Sequence, residues 1–392
     1  LPEDSSLDGQ NLVLSGGSHS ITGPHQFTGL ALLNGATLTH AACTTVDTFS
    51  LDLTVTDSIL IDATSLINVG SRGYRAGRTS GNTTDGAAQS MSGGGYGGSG
   101  KGSGGQSNWP YGDPTDPDEP GSGGGDNGPG GGLVRLSCST FTLDGRIVAN
   151  GGNGGGYSLA AGSGGGIAVQ AAVLAGTGSM EANGGNGTWA YGPDGGSGGG
   201  GRIAMVAGDV VTPALLDNLS ALPGTGGAGP GACGTVYTRI GAEPGTLIID
   251  SRGVTVAEWT PLTSGQDGAI TVENLVVRGT GVVAGPLDNV VIHALNVDLL
   301  EGARLTHRAA SVTEDYALRL NITEKLTIDA ESTIDVTARG YLAGHTIGNT
   351  TEGASGGQAG GSYGGLGGTG HAGGTANAVY GDLRNPNDLG SG

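Results

Sequence analysis

Residues 50–74 read SLDLTVTDSILIDATSLINVGSRGY, and the pattern returns at residues 317–341 as ALRLNITEKLTIDAESTIDVTARGY. The offset is 267 residues, and 12 of 25 positions are identical. Leu51, Leu53 and Val55 map onto Leu318, Leu320 and Ile322; Ile59 and Ile61 onto Leu326 and Ile328; Ile67 and Val69 onto Ile334 and Val336. What survives is an apolar residue at every second position, the period that puts one set of side chains on one face of a strand. Three short strands separated by polar corners, repeated along a chain, is the pattern of a coil in an all-β parallel β-solenoid, where each coil stacks on the next.

Working outward, the repeat extends in both directions. Gly35–His40 matches Gly302–His307, and Arg72–Ala87 matches Arg339–Ala354. The segment from Tyr111 to Gly123 returns from Tyr380 to Gly392 at an offset of 269. The reading is a complete repeat unit over residues 1–263 and the first half of a second, tandem unit over 264–392. The expectation is a longer native polypeptide with further units. Within the first unit a finer repeat appears. Phe141–Gly154, FTLDGRIVANGGNG, is echoed by Leu174–Gly187, which ends ANGGNG. Strands beginning at Leu133, Ile167 and Ile203 follow tracts that start Gly121-Ser-Gly, Gly162-Ser-Gly and Gly196-Ser-Gly. Each coil therefore leaves at one corner through Asn-Gly-Gly and returns through Gly-Ser-Gly-Gly. In-phase entry and exit predict glycine loops that stack in order beside the coils, since backbones without side chains can approach closely. A short helix is expected from Pro213 to Ala221.

Composition bounds the function. Glycine supplies 85 of 392 residues, and the net charge is −19 from 35 acidic and 16 basic residues. That balance argues against nucleic acid and anionic membrane as partners, and suits an extracellular or cell-surface location. No apolar run approaches the roughly 18 residues of a membrane span, so no membrane insertion is expected. Cys43, Cys138 and Cys233 sit in strand-like contexts; an odd number makes no disulfide framework, and they read as small buried core residues.

Four sets of residues are candidates for chemistry. The loop carrying Asp113, Asp116, Asp118 and Glu119 is matched in the second unit by Asp382, Asn385, Asn387 and Asp388, all oxygen donors. Such oxygen clusters suit Ca2+, the one candidate cofactor, although Asp, Asn and Pro are also ordinary turn residues. Trp109 with Tyr111, and Trp189 with Tyr191, could stack on sugar rings and so bind surface glycans; the packing alternative is that they cap a loop layer. Asn82 and Asn349 head Asn-Thr-Thr sequons at the same repeat position and are the glycosylation candidates. Asp62 (Asp329), Asp144 and Arg72 (Arg339) are the only residues to nominate for polysaccharide cleavage. Their recurrence in tandem coils favours structural corners over a single pocket, so no catalytic residue is assigned and the chain is read as a non-enzyme.

The TLDGRIVANGGNGG and GSGGGGRIAMVAG motifs and the YGDP…GSGGG loop resemble the glycine-rich tandem-repeat β-helix proteins of bacterial cell surfaces and extracellular matrix. The resemblance covers about three fifths of the chain. It implies a right-handed parallel β-helix in a fibrous or adhesive role, with other copies or further tandem units of itself as end-to-end partners, and it carries over no catalytic residue.

Overall fold

A computed structural model describes residues 5–155, 159–188, 194–210, 212–256, 258–263, 269–370 and 373–392. The alternating stretches form strands, and three sheets collect them. The large sheet has 13 strands. Its main line runs Asn11–Ser15, Gly29–Leu33, Leu51–Ile61, Leu133–Leu143, Gly166–Ala175, Arg202–Val210, Thr235–Ile240, Thr246–Asp250, Asn274–Arg278 and Val291–Leu300, with Arg319–Ile328 on the far side of the last. Register places like on like: Ile61 faces Leu143, Phe141 faces Leu174, and Ile167 faces Ile203. A second sheet stacks Ser18–Ser20, Thr37–Thr39, Leu66–Asn68, Arg146–Val148, Ser179–Glu181 and Leu219–Ser220. A third stacks Trp259–Leu262, Val283–Pro286, Arg304–Leu305 and Thr333–Ile334. Long strand, corner, short strand and loop thus recur along the chain, and every pairing of described strands is parallel except one.

The exception lies between Thr235–Ile240 and Thr246–Asp250, which pair antiparallel. Strand direction in the large sheet therefore reverses there, and the buried face switches with it. Ile203, Met205 and Ala207 belong to a core cluster that runs back to Ile21, whereas Ala204 and Tyr237 belong to a second cluster that runs on to Leu305. Strand Arg202–Val210 is apolar on both faces because each face meets a different core. The second unit consequently does not continue the first in the same sense; it rests on the opposite face of a shared sheet.

The coil 50–74 has two strands where three are expected. Leu51–Ile61 runs through Thr56-Asp57 as one strand. A register shift between Val55 and Ser58 marks a bulge, at which the strand changes partner from Gly23–Phe27 to Gly29–Leu33. The bulge returns in the second unit, where Arg319–Ile328 is continuous and shifted against Ala294/Asn296. A bulge admits an extra residue without ending pairing, so polar residues there read like a corner in the sequence. The true corner follows at Asp62. Its carboxylate accepts the N–H of Asn34 at 2.7 Å and that of Thr64 at 2.9 Å. Asp329 repeats this with Glu301 and Ser332. Asn34 and Glu301 both hold left-handed backbones, at φ 55° and 58°. The expected helix is a 3-10 turn over Pro213–Asn218.

The described residues of the glycine tracts pack against one another. They form neither helix nor strand but bond laterally, for example Gly94 N to Ala161 O, Gly199 N to Gly94 O, Gly131 N to Ser163 O and Gly198 N to Gly185 O. A Cβ on Gly97 or Gly131 would overlap the carbonyl oxygen of Gly201 or Ala149, so only glycine fits. Ser122, Ser163 and Ser197, the serines of the three return motifs, are fully buried in this layer. No described helix is long and apolar enough to cross a membrane.

Candidate functional site

The loop from Asn108 to Pro120 folds over the outer face of the large sheet. Its base is a buried polar node. The Asn108 side-chain amide donates to Thr79 Oγ1 at 3.1 Å, Ser122 Oγ at 3.1 Å and Gly95 O at 2.7 Å. Tyr111 donates its hydroxyl to Pro120 O at 2.6 Å and packs on Tyr96, ring centroids 4.8 Å apart. Burial holds the Tyr111 hydroxyl far above the usual phenol range. The second unit rebuilds the node: Asn377 donates to Thr346, Tyr380 to Leu389 O, and Tyr363 packs on Tyr380 at 5.2 Å. Tyr111 is therefore turned inward, as the packing alternative expects.

Three of the loop's four acidic residues, Glu119, Asp113 and Asp116, meet different protein donors. Glu119 Oε2 accepts from Tyr74 OH at 2.7 Å and Gly81 N at 2.9 Å, and its Oε1 accepts from Ser80 at 2.7 Å. Asp113 Oδ1 closes a turn by accepting the N–H and hydroxyl of Thr115. Asp116 pairs with Arg135 at 2.9 Å. Asp118 lies at the outer edge, where partial loss of water and the neighbouring Glu119 raise its carboxyl. In the second unit Asp382 accepts from the N–H groups of Arg384 and Asn385, Asn385 and Asn387 are exposed, and Asp388 is half-buried. Its shorter side chain leaves Gly348 N to bond Tyr341 OH instead, at 3.3 Å. Among the described residues no three His, Cys, Asp or Glu side chains gather in a group that could hold a metal.

Trp109 is 53% exposed. Trp259 meets it edge-on at 6.1 Å, and the Arg308 guanidinium sits 5.0 Å over its ring and 4.6 Å over Tyr316. Through Arg308 the loop touches the second unit, and the Lys101–Glu258 ion pair at 2.7 Å holds the end of the first unit against its glycine layer. Trp189 and Tyr191 lie outside the described residues. Between loop and sheet runs a polar groove of about 400 Å³, lined in part by Asp52, Thr54, Asp116, Arg135, Gln170 and Arg239. It could hold an extended hydroxyl-rich ligand.

Asn82 and Asn349 are half-buried, with φ of 55° and 54°. Each donates its side-chain amide to a carbonyl across the corner, Asn82 to Thr44 at 3.3 Å and Asn349 to Ser311 at 3.0 Å. The nitrogen that a glycan would need is engaged in the same way in both units.

Two features escape a reading of the chain. Arg202 is 1% exposed, with Nε donating to Tyr111 O, Nη1 to Thr235 and Nη2 to Thr263, and its guanidinium lies 5.4 Å over Tyr96. It stands where neighbouring strands carry Gly166 and Thr235, and that contrast is its only trace in the sequence. The second feature is an asparagine ladder. Asn150 accepts from Asn183 N and Asn183 from Leu222 N, while Asn153 accepts from Asn186 N and Asn186 from Thr225 N, each at 2.8 Å. The Asn-Gly-Gly-Asn repetition was its signal. Searched against protein families, characterised proteins and solved structures, the chain matches none.

Proposed function

We propose that the chain is a segment of an extracellular structural protein: a right-handed parallel β-helix in two face-switched parts, serving as a fibre, matrix filament or adhesin stalk. The observation that carries this reading is how the recurring polar residues are used. Asp62 and Asp329 clip corners, Asn108 and Asn377 hold loop bases, and Asn82 and Asn349 bridge corners. These six recurring residues are consumed by internal bonds, as a load-carrying scaffold requires. Electron microscopy of the chain is the test. Rods or filaments support the proposal, and isodiametric particles at every concentration sink it.

A second reading rests on Trp109. An exposed indole met edge-on by Trp259, on the loop whose Thr115 and Asp116 line the polar groove, is a platform for a sugar ring. Binding on a glycan array that is lost in Trp109→Ala supports a carbohydrate-binding adhesin; an array without signal removes it.

A further inference from the structure

The large sheet buries one face in the first core, and residues of its other face line the groove of about 400 Å³ under the loop. Register orders these residues in two rows that cross neighbouring strands. One row is Asp52, Arg135, Ala168 and Ala204; the other is Thr54, Ser137, Gln170, Val206 and Arg239. Four steps of ~4.8 Å make the second row ~19 Å long. Its Thr54, Ser137, Gln170 and Arg239 are exposed, while Ala168 and Ala204 beside them are too short to fill the space. The wall stands before any ligand arrives. Asp113 closes the turn onto Thr115, and Arg135 rises from the floor to donate to Pro117 O at 2.6 Å and to pair with Asp116 at 2.9 Å. A preformed wall spares a ligand the cost of ordering the loop.

We infer that this groove binds a linear, uncharged, extended glycan lying across the strands, along the stack. The inference rests on the carbohydrate-binding reading and adds the subsite, the orientation and the ligand class. Every strand of the floor is paired on both sides, so no backbone edge is left for an extended peptide to join. Recognition falls to side chains. Thr54, Ser137 and Gln170 both donate and accept hydrogen bonds, Arg239 donates, and Asp52 accepts. Neighbouring hydroxyls on a sugar ring likewise offer both roles, so one surface answers the other. Charge in the groove balances, Asp52 and Asp116 against Arg135 and Arg239, within a chain of net charge −19. A polyanion therefore gains no local charge and is repelled by the molecule as a whole. Rings of an extended glycan advance by about one strand spacing, so about four of them lie along the row, each opposite the side chain of a different strand.

The test is calorimetric titration of the 392-residue chain. Cellohexaose, β1→4-mannohexaose and chitohexaose are the uncharged, extended probes. Maltohexaose, uncharged but coiled, and hexagalacturonate, extended but acidic, are the controls. At least one of the first three is expected to bind, with an affinity that added salt leaves unchanged, and neither control to bind. Gln170→Ala with Arg239→Ala, both at exposed positions, should weaken that binding about tenfold or more. Ala168→Leu, which fills the floor, should abolish it. Circular dichroism and thermal melts check that each variant folds, and the Gln170/Arg239 pair decides the matter if Ala168→Leu does not. Salt-sensitive binding of hexagalacturonate, or binding of maltohexaose, overturns the ligand class. Binding that survives the Gln170/Arg239 change and is lost in Trp109→Ala overturns the groove and leaves the carbohydrate reading standing. Failure of all three extended probes overturns the proposal, and a silent glycan array alongside removes the carbohydrate reading as well.

Discussion

At the scale of the residue, burial decides behaviour. His40 is fully buried and bonds Ala41 O through Nδ1 at 2.7 Å, and desolvation lowers its pKa from 6.5 to about 4. His307 holds the same bond at the same distance in the second unit, and burial lowers it too. The unfolded chain takes up the His40 proton near pH 6.5, and the folded chain resists until about 4. The stabilisation is therefore complete above pH 6.5 and falls away as the pH drops toward 4. The loss amounts to about 3 kcal/mol for His40. Urea midpoints measured across that window should fall with pH, and His40→Asn should flatten the slope. A flat wild-type profile would refute the assignment. The corner carboxylates act lower, since hydrogen bonds from Asn34, Thr64 and Ser65 hold Asp62 at about 2. Three carboxylates of the loop, Asp113, Asp116 and Glu119, are met by Tyr74, Ser80, Gly81, Thr115 and Arg135. We therefore expect chelation with EDTA to leave the melting temperature unchanged and Glu119→Ala to lower it. A drop with EDTA that is reversed by Ca2+ would establish a calcium site. The cysteines are free, and burial raises Cys138 to about 11 and Cys233 to about 12. Cys233 should resist thiol reagents until the chain unfolds.

At the scale of the element, two devices replace the apolar core where the coils leave the sheets. The glycine layer is held by lateral amide bonds between threads too close for any side chain. Gly131→Ala pushes a methyl group into the Ala149 carbonyl, and overpacking of this kind costs about 1–3 kcal/mol. The asparagine ladder satisfies backbone N–H groups of the next coil. Asn183→Ala strands the N–H of Leu222, at about 1–3 kcal/mol, and amide exchange at Leu222 and Thr225 separates the rungs. Faster exchange at Leu222 alone is the expected result. Uniform acceleration across the layer would mean that the ladder is not the local support.

At the scale of the whole molecule, eleven strands stand in line in the large sheet, and at roughly 4.8 Å each they span roughly 50 Å. A reconstruction of the chain should show a stack about that long with one reversal of strand direction between Thr235–Ile240 and Thr246–Asp250. A stack of that length with every strand parallel would contradict the face switch there.

The sequence by itself determined the all-β class, the parallel stacking and the 267-residue repeat. Each of these follows from local periodicity. Alternation at Leu51–Ile61 specifies a strand with one inward face, whereas the close packing of the Gly-Ser-Gly-Gly threads is seen only in the structure. The tertiary structure alone decided the rest. Whether Thr56-Asp57 is a corner or a bulge depends on which strands lie alongside. The sequence did not show that Glu119 would meet Tyr74, or that Asp116 would meet Arg135. The reversal at Thr235–Asp250 left almost no mark in the chain, because a strand with two apolar faces looks the same whichever core it meets. Burial of Ile61 and exposure of Ile328 come from similar local sequence. A side chain's environment is set by what covers it, and that is a property of the stack rather than of the coil.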